Sequence, residues 1–374
     1  MHVYYLAPNE LNEFAVGIRF KIEVQFKILK EHFNCDATYI SLNRKMSLLN
    51  KIRRCTPFFS FYKKIDVNKF KPNSIVYFRH AVIDHRLLKM LMQLKKNGCI
   101  IILEIPTYPY DAERCTFFGK MILYQEYVYR KLLNRYVSRI ITYSKDSVIY
   151  GIKTINISNA ICIDDDFEIS SQEETTCINI VAVAAIAFWH GYDRVIQGIY
   201  EYYRNGGKRK IIFHMVGYGR DLEKYKELAD RLSINDHVIF YGKKQGKELD
   251  DIYLKCKIGI DSLGRHRSGV FYNSSLKGKE YLLKGLPVVS GVETELDSRN
   301  DFKYYLRIPA DDTPVDINRV VEFYDEIYGN KNELEIRKEI RKFAIQNFSY
   351  EATFDKVLKY LDETVQKKNS NLEK

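Results

Sequence analysis

Short apolar runs alternate with segments of helical spacing along most of the chain. The run HVYYL at His2–Leu6 predicts an opening strand, and the apolar residues of Ile18–Phe33 recur at the period of a helix. Further strand and helix pairs are predicted at Ser74–Phe78 with Leu87–Lys96, Ile100–Glu104 with Thr116–Arg135, and Arg139–Tyr143 with Thr154–Ser158. This alternation is typical of a parallel sheet covered by helices on both faces.

The alternation is interrupted once and then restarts. The segment Asp164–Thr176, DDDFEISSQEETT, is acidic and almost devoid of apolar residues, which predicts an interdomain linker. Beyond it, strands are predicted at Ile178–Ala184, Lys210–Val216, Val238–Tyr241, Ile258–Asp261 and Pro287–Ser290. Helices are predicted at Tyr192–Tyr203, Leu222–Leu232, Leu249–Lys255 and Leu276–Lys284. The second half of the chain therefore repeats the α/β pattern of the first.

We predict an α/β chain with two Rossmann-like, doubly wound domains that face each other across a cleft. The predicted segments are an N-terminal domain at 1–163, a linker at 164–177, a C-terminal domain at 178–345 and a C-terminal helix at 346–374 that crosses back to the N-terminal domain. A length of 374 residues suits two domains that each bury a core. Ligands of such sheets bind outside the carboxyl ends of the strands.

The cysteine content and the hydropathy of the chain indicate in which cellular compartment the protein resides. The chain has 7 Cys, an odd number, and no C-x-x-C pair, which argues against a disulfide framework and against a zinc site. The longest apolar runs are too short to span a bilayer, and the first residues do not have the pattern of a secretory leader. We therefore expect a cytoplasmic protein.

The basic excess lies in the first hundred residues, which hold 18 Lys and Arg against 7 Asp and Glu, whereas the whole chain has a net charge of +11. Residues 41–71 carry nine of these cations and only Asp66, interleaved with Phe and Tyr. This composition suits an anionic membrane surface or a lipid-phosphate carrier. The alternative is a solvated basic face whose aromatic residues point into the core. No nucleic-acid motif accompanies the charge.

The segment Ser274–Ser290, SSLKGKEYLLKGLPVVS, places a Ser-rich turn before a helix that ends at Gly285. A helix N-terminus offers unpaired N–H groups to a diphosphate, and Lys277 adds a full positive charge there. Glu280 lies one turn further on the same face, where its carboxylate can accept hydrogen bonds from ribose hydroxyls. The alternative is an ordinary amphipathic helix with a Lys and Glu pair three residues apart.

This segment resembles the donor-binding signature of the family-4 retaining glycosyltransferases, in which a helix with an essential Glu precedes a G-x-P-V-V turn. Val216–Gly219, VGYG, resembles the V-G-x-G turn of the same family, and the similarity extends in register over most of Asn179–Val289. The resemblance implies the GT-B architecture. We predict catalytic roles for Lys277, Glu280 and Arg265. Donor-binding roles are predicted for Gly17, His190, Gly217, Gly219, Arg267, Ser274, Ser275 and Leu276.

The N-terminal half resembles the family more loosely. Gly17 is similar to the glycine loop that approaches the donor phosphates, although a plain turn glycine is the alternative. Glu104 and the following IPTYPYD at Ile105–Asp111 resemble segments of bacterial polysaccharide glycosyltransferases. We therefore predict that Glu104, Tyr108 and Tyr110 lie on the acceptor side, with a structural corner as the alternative.

Three positions depart from the family pattern. Asn273 stands where the family usually has a Glu, and Ala185 and His190 stand where it has the Arg and Lys that neutralise the diphosphate. Because His190 carries a charge only when its pKa is raised, the missing charge is expected from Arg265, Arg267 and Lys277. For the two arginines, the alternative is a solvated surface position.

The sequence gives little support for a metal-binding site. Asp164–Asp166 lies in the polar linker and not at the end of a strand, and no H-x-x-x-H pair has a Glu nearby. We expect no metal and no cofactor, with a nucleotide-diphosphate sugar as the donor substrate. The resemblance implies a hexosyltransferase of the kind found in bacterial capsule and exopolysaccharide synthesis, acting on a saccharide or a lipid-linked saccharide.

Three other functions are alternatives to glycosyl transfer. A non-catalytic GT-B binding module would explain the missing Arg and Lys, and a GT-B nucleotide-sugar epimerase would form product without an acceptor. A Rossmann dehydrogenase would need G-x-G-x-x-G after its first strand, where this chain has the single Gly17.

Overall fold

The computed structural model describes residues 2–8, 16–40, 60–63, 66–80, 82–111, 117–163, 167–170, 177–329 and 331–372. The chain forms two compact units. The first consists of Met1–Ile157 with Thr353–Lys374, and the second of Ser158–Ala352. The predicted linker, 164–177, is described only at 167–170 and Cys177, so its role stays a prediction.

The first unit contains a sheet of seven described strands in the order β2-β1-β3-β4-β5-β7-β6. The strands are β1 His2–Pro8, β2 Asn34–Ile40, β3 Ile75–Arg79, β4 Ile100–Ile105, β5 Arg139–Thr142, β6 Val148–Ile149 and β7 Ile152–Asn156. All neighbouring pairs are parallel except β6 with β7. The helices are α1 Val16–His32, α2 His85–Lys96 and α3 Phe117–Arg130. Asp84 caps α2 through hydrogen bonds from the N–H groups of Arg86 and Leu87.

The second unit contains an all-parallel sheet of six described strands in the order β10-β9-β8-β11-β12-β13. The strands are β8 Cys177–Ala185, β9 Lys210–Tyr218, β10 Val238–Gly242, β11 Ile258–Ile260, β12 Val288–Ser290 and β13 Tyr305–Arg307. The helices are α4 Asp193–Arg204, α5 Leu222–Arg231, α6 Lys247–Lys255, α7 Leu276–Leu283, α8 Ile317–Tyr328 and α9 Glu333–Phe348. Its core is a single apolar cluster around β8, β9 and β11.

The last helix, α10 Tyr350–Leu372, contributes its residues from Thr353 onward to the first unit. Its buried side chains Phe354, Val357 and Leu361 share an apolar cluster with Val3 and Tyr5 of β1. The C-terminal helix therefore completes the core of the N-terminal sheet, as the predicted fold class requires.

Four strands depart from the predicted elements, and one of them, the two-residue β6 at the edge of the first sheet, was not predicted. Thr154–Ser158, predicted as a helix, falls largely within β7, because its β-branched residues pair with β5. The strands β2 and β13 lie at the edges of their sheets and were not predicted. Edge strands are buried less completely, so their sequences lack the continuous apolar run of a central parallel strand.

Candidate functional site

The loop after β8 begins the candidate site. It continues through a 3-10 helix at Phe188–His190, where the His190 side chain is buried and stacks on Tyr192 with 5.4 Å between ring centroids. The Nδ1 atom of His190 accepts a hydrogen bond from the N–H of Ala187 at 3.0 Å. The ring proton therefore resides on Nε2, which is a hydrogen-bond donor.

His190 does not replace the positive charge that the family carries at its position. Burial, together with the nearby cations Lys277 and Arg265, lowers the pKa of His190 to about 2. The imidazole is neutral at physiological pH, so it contributes a donor without a charge. Lys277 and Arg265 are the positively charged groups that lie near it.

The loops after β8 and β11 meet through two glycines. Gly191 has φ 65°, and a Cβ built on it would lie 2.6 Å from the backbone nitrogen of Gly264. The N–H of Leu263 also donates to the carbonyl oxygen of His190 at 2.7 Å. Because β8 and β11 are neighbouring strands, these contacts hold His190 beside the loop that carries Arg265.

The N-terminus of α7 is anchored to a buried carboxylate at the end of β11. Ser275 caps the helix by accepting from the N–H of Gly278 at 3.3 Å, and its hydroxyl donates to Asp261 Oδ1 at 2.7 Å. Lys277 Nζ lies 3.8 Å from the same oxygen. Asp261 is fully buried, and its Oδ2 has no hydrogen-bond partner among the described residues.

Lys277 and Arg265 supply the charges of this cluster. Burial lowers the pKa of Lys277, and Arg265 acts in the same direction, whereas Asp261 opposes the shift. The Lys277 side chain is still 21% exposed, so it can reach a ligand. The guanidinium of Arg265 lies 6.0 Å from the ring centroid of Trp189, and its buried Nε lacks a hydrogen-bond partner in the described part of the chain.

Glu280 lies one turn beyond Lys277 on α7. The hydroxyl of Tyr253 donates to Glu280 Oε1 at 3.0 Å, which fixes the carboxylate. Burial raises the pKa of Glu280, although Tyr253 and the cations Lys284 and Lys277 act against the shift. The side chain is half-buried, so part of its carboxylate can accept further hydrogen bonds.

Gly217 lets β8 and β9 pack closely near their carboxyl ends, and Gly219 does the same for the loops that follow them. A Cβ on Gly217 would lie 1.9 Å from the carbonyl oxygen of Ala184, and one on Gly219 would lie 2.0 Å from that of Ile186. These approaches exclude any side chain at either position. The two glycines therefore shape the loop that leads to His190, whether or not they contact a ligand.

Arg267 and Ser274 are engaged in structural contacts. Arg267 binds Asp193 through both terminal nitrogens, at 2.9 and 2.8 Å, and Asp312 through Nε at 2.6 Å. Ser274 is buried and accepts a hydrogen bond from Lys279 Nζ at 2.8 Å. Leu276, the first residue of α7, has a side chain 49% exposed. Of these three residues, only Leu276 lies at the end of a helix and has an exposed side chain.

The side chain of Glu104 does not reach the surface. It is fully buried, contacts Arg79, and accepts hydrogen bonds from the hydroxyls of Tyr77 at 2.5 Å and Tyr143 at 3.1 Å. Burial would raise the pKa of Glu104, but Arg79 and Lys21 lower it. Glu104 therefore links the carboxyl ends of β3 and β4 through buried contacts, and its position on the acceptor side stays a prediction.

The other acceptor-side residues differ in exposure. Tyr110 is buried, and its hydroxyl donates to Glu126 Oε2 at 3.3 Å. Tyr108 is half-buried and lies 5.9 Å from the ring of Tyr150. Gly17, predicted in a loop, is the second residue of α1. Of the three residues predicted on the acceptor side, Tyr108 is the one whose side chain is only half-buried.

A groove of about 410 Å³ lies between α4 and α5, apart from the Lys277 cluster. Its lining mixes acids and bases: Asp193, Asp221, Glu227, Lys224, Arg231 and Arg267.

Among the described residues, no group of three or more His, Cys, Asp or Glu is placed to hold a metal ion. The same part of the chain includes no helix with the length and apolar character needed to cross a membrane. Asp164–Asp166 lies outside the described residues.

Comparison with known families gives one match. The model of the family described as Glycosyl transferases group 1 matches residues 164–260, which include β8 to β11 and end just before Asp261. Lys277 and Glu280 therefore lie beyond the matched region. A comparison with curated proteins gave no match.

Solved structures share the fold over almost the whole chain. A glycosyltransferase from Rickettsia africae has a TM-score of 0.59 and 12% identity over 97% of this chain and 98% of its own. The lipopolysaccharide outer core galactosyltransferase WaaB, in its apo form, has a TM-score of 0.61 and 13% identity over 97% and 100%. The Anabaena protein Alr3699/HepE, in complex with UDP and glucose, has a TM-score of 0.56 and 12% identity over 97% and 100%. The predicted fold class, two parallel-sheet α/β domains as in GT-B glycosyltransferases, is confirmed.

Proposed function

We propose that this protein is a retaining glycosyltransferase that takes a sugar from a nucleotide-diphosphate donor. The group 1 match at 164–260 and the shared fold support glycosyl transfer. The acceptor in this proposal is a saccharide or lipid-linked saccharide, and the pathway is the synthesis of a cell-surface polysaccharide in the cytoplasm.

One observation carries the proposal. The N-terminus of α7, the ammonium of Lys277, the guanidinium of Arg265 and the Nε2 donor of His190 converge at the carboxyl ends of β8 and β11. Such a set of donors suits a diphosphate, because the helix end supplies N–H groups and the two cations supply charge. The buried Asp261 fixes Ser275 at the helix cap and lies near Lys277, so the set is preorganised.

The chemistry follows from where negative charge develops. As the bond between the sugar and the diphosphate breaks, charge grows on the leaving phosphate oxygen, and preformed donors stabilise that state more than the ground state. The acceptor hydroxyl attacks from the same face, and the leaving diphosphate oxygen takes its proton. Glu280 accepts hydrogen bonds from the ribose, and Tyr253 holds its carboxylate in position.

A uridine nucleotide is the first donor to test. The Anabaena protein with this fold is in complex with UDP and glucose, and its similarity covers 97% of this chain. On the acceptor side, Tyr108 is the candidate for stacking against a sugar ring, while Tyr110 and Glu104 support the loop and strand ends behind it.

The test is a turnover assay with a panel of nucleotide sugars, with and without saccharide and lipid-linked acceptors. Glycosyl transfer requires both substrates and yields a product that retains the anomeric configuration. An epimerase would convert the donor without any acceptor. A binding module would bind nucleotide and release no product, and either of these results would contradict the proposal.

Activity is expected to survive metal removal. The cations of the cluster, Lys277 and Arg265, occupy the role that a divalent metal would take, so chelator should leave the initial rate unchanged. Rates measured with EDTA and after adding back Mg²⁺ or Mn²⁺ check this expectation. Complete loss in EDTA with recovery on metal addition would contradict metal-independent transfer.

The basic segment 41–71 is proposed to contact an anionic membrane or a lipid-diphosphate acceptor; most of it lies outside the described residues. Each Lys or Arg near anionic headgroups contributes about 1 kcal/mol at low salt, and the contribution fades as salt rises. We expect vesicle binding to fall strongly in the variant that changes to Gln the residues Lys51, Arg53, Arg54, Lys63 and Lys64. Unchanged binding of that variant across a salt series would show a merely solvated face.

A further inference from the structure

The outward face of α3 carries large aromatic and apolar side chains. Tyr124 is 78% exposed, Tyr127 57% and Val128 52%, and Phe117 at the start of the helix is 72% exposed. Residues 124, 127 and 128 lie within about one turn of each other, so their side chains form one stripe. Single exposed apolar residues are common on protein surfaces, but a contiguous stripe indicates an interaction site.

The opposite face of α3 holds the polar residues. Glu126 is fully buried and accepts hydrogen bonds from the N–H of Ile83 and from Arg130, both at 2.9 Å. Arg130 is also buried and binds Asp111 at 2.9 Å. Turning the helix to bury the aromatic stripe would expose Ile122, Leu123 and Tyr129, which pack against the core, and would break these buried pairs at high cost. The stripe is therefore held outward by the fold.

Charge indicates what the stripe binds. Lys120 and Lys131 flank it and are exposed, and Lys131 Nζ lies 4.4 Å from the ring centroid of Tyr127. Glu126, the only acid of α3, is buried, so the outward face is aromatic and cationic with no negative side chain. Tyrosine suits the headgroup level of a bilayer, and lysine reaches from there to lipid phosphates.

We propose that the outward face of α3, comprising Lys120, Tyr124, Tyr127, Val128 and Lys131, docks on an anionic lipid bilayer. A second copy of the chain is a poorer occupant, because a symmetric pair would bring the same lysines together. The proposal does not depend on glycosyl transfer, nor on the basic segment 41–71. It gives the first unit a membrane contact made by a described helix.

The test is co-sedimentation of the full-length protein with vesicles of phosphatidylcholine, with and without phosphatidylglycerol. Changing Lys120 and Lys131 to Gln should weaken binding to the anionic vesicles by about fivefold for each residue. Changing Tyr124 and Tyr127 to Ser should weaken it by at least about tenfold. Phe271→Ser is the matched control, since Phe271 is 62% exposed in the second unit and should leave binding unchanged.

Insertion is measured separately with a Tyr124→Trp variant and brominated lipids. Quenching of its fluorescence beyond that of the native Trp189 would place position 124 in the bilayer. Wild-type binding by the α3 variants, with equal unfolding temperatures and no added quenching, would overturn the proposal. A concentration-dependent dimer in ultracentrifugation that the Tyr changes abolish would also overturn it and would assign the face to a second copy.

Discussion

Replacing Lys277 by Met is expected to lower turnover about a hundredfold or more, with a smaller change in donor binding. In the proposed reaction, the ammonium of Lys277 would stabilise the leaving diphosphate most strongly as the glycosidic bond breaks, when negative charge develops on it. Lys277 is a partly exposed cation at the start of α7, and the nearby His190 is neutral. Single-turnover and steady-state rates with saturating donor measure the effect.

Two controls sharpen this prediction. Lys247→Met removes the same charge from an exposed position at the start of α6 and should leave turnover unchanged. In the wild type, the lowered pKa of Lys277 means that its charge is lost as pH rises, at a lower pH than for an ordinary lysine. Turnover should therefore fall on the alkaline side, and Lys277→Met should lack that limb. A wild-type rate in Lys277→Met would reject the assignment.

Replacing Glu280 by Ala is expected to cost about 2 to 4 kcal/mol in kcat/KM, because the variant would lose the half-buried carboxylate that we propose accepts hydrogen bonds from the ribose. Tyr253→Phe removes the hydroxyl that fixes the carboxylate and should cost about 1 kcal/mol. Glu248→Ala, an exposed acid on α6, is the matched control. Kinetics over a range of donor concentrations give the values.

The pH dependence of Glu280 has a defined sign. Its pKa is raised by burial, so the carboxylate becomes protonated as pH falls before an ordinary glutamate does. Protonation removes an acceptor from the ribose, and kcat/KM should decline on the acid side. Glu280→Gln should abolish that decline. A nucleotide affinity that is unchanged in both Glu280 variants would remove the residue from the donor site.

Much of the fold is predictable from the sequence because central parallel strands are apolar on both faces. The strands β8 and β9 are mostly apolar runs, and the helices after them have clear periodicity. The edge strand β2, NCDATYI, is polar at three of its seven positions, and it forms because β1 offers a partner. A short segment such as Thr154–Ser158 is decided by the neighbouring strand more than by its own spacing.

Spacing alone grouped only the candidate residues that lie close together in sequence, and the family resemblance added distant ones such as His190. Lys277, Glu280 and the cap Ser275 all lie on one helix, so the motif shows them together. Asp261 and Gly264 were missed, because their meeting with α7 and with Gly191 depends on β11 lying beside β8 in the sheet. An Asp directly after a buried strand was the available signal for Asp261.

Burial and ion pairs also distinguish the predicted site residues from one another. Glu104 and Ser274 have the residue types of ligand contacts, yet both are buried in polar networks that sequence spacing cannot reveal. Arg267 was grouped with Arg265, but its partners Asp193 and Asp312 engage it in ion pairs. Adjacent cations in one loop therefore take different roles, which depend on the acids that the fold brings near them.

The central claim is that the start of α7 and its cations bind the diphosphate of the donor. A structure of the full-length protein with UDP bound tests it most directly. The account predicts phosphate oxygens within hydrogen-bond distance of Lys277 Nζ and of the first N–H groups of α7, with the ribose hydroxyls on Glu280. UDP bound elsewhere, for example in the groove between α4 and α5, with Lys277 and Glu280 out of contact, would contradict it.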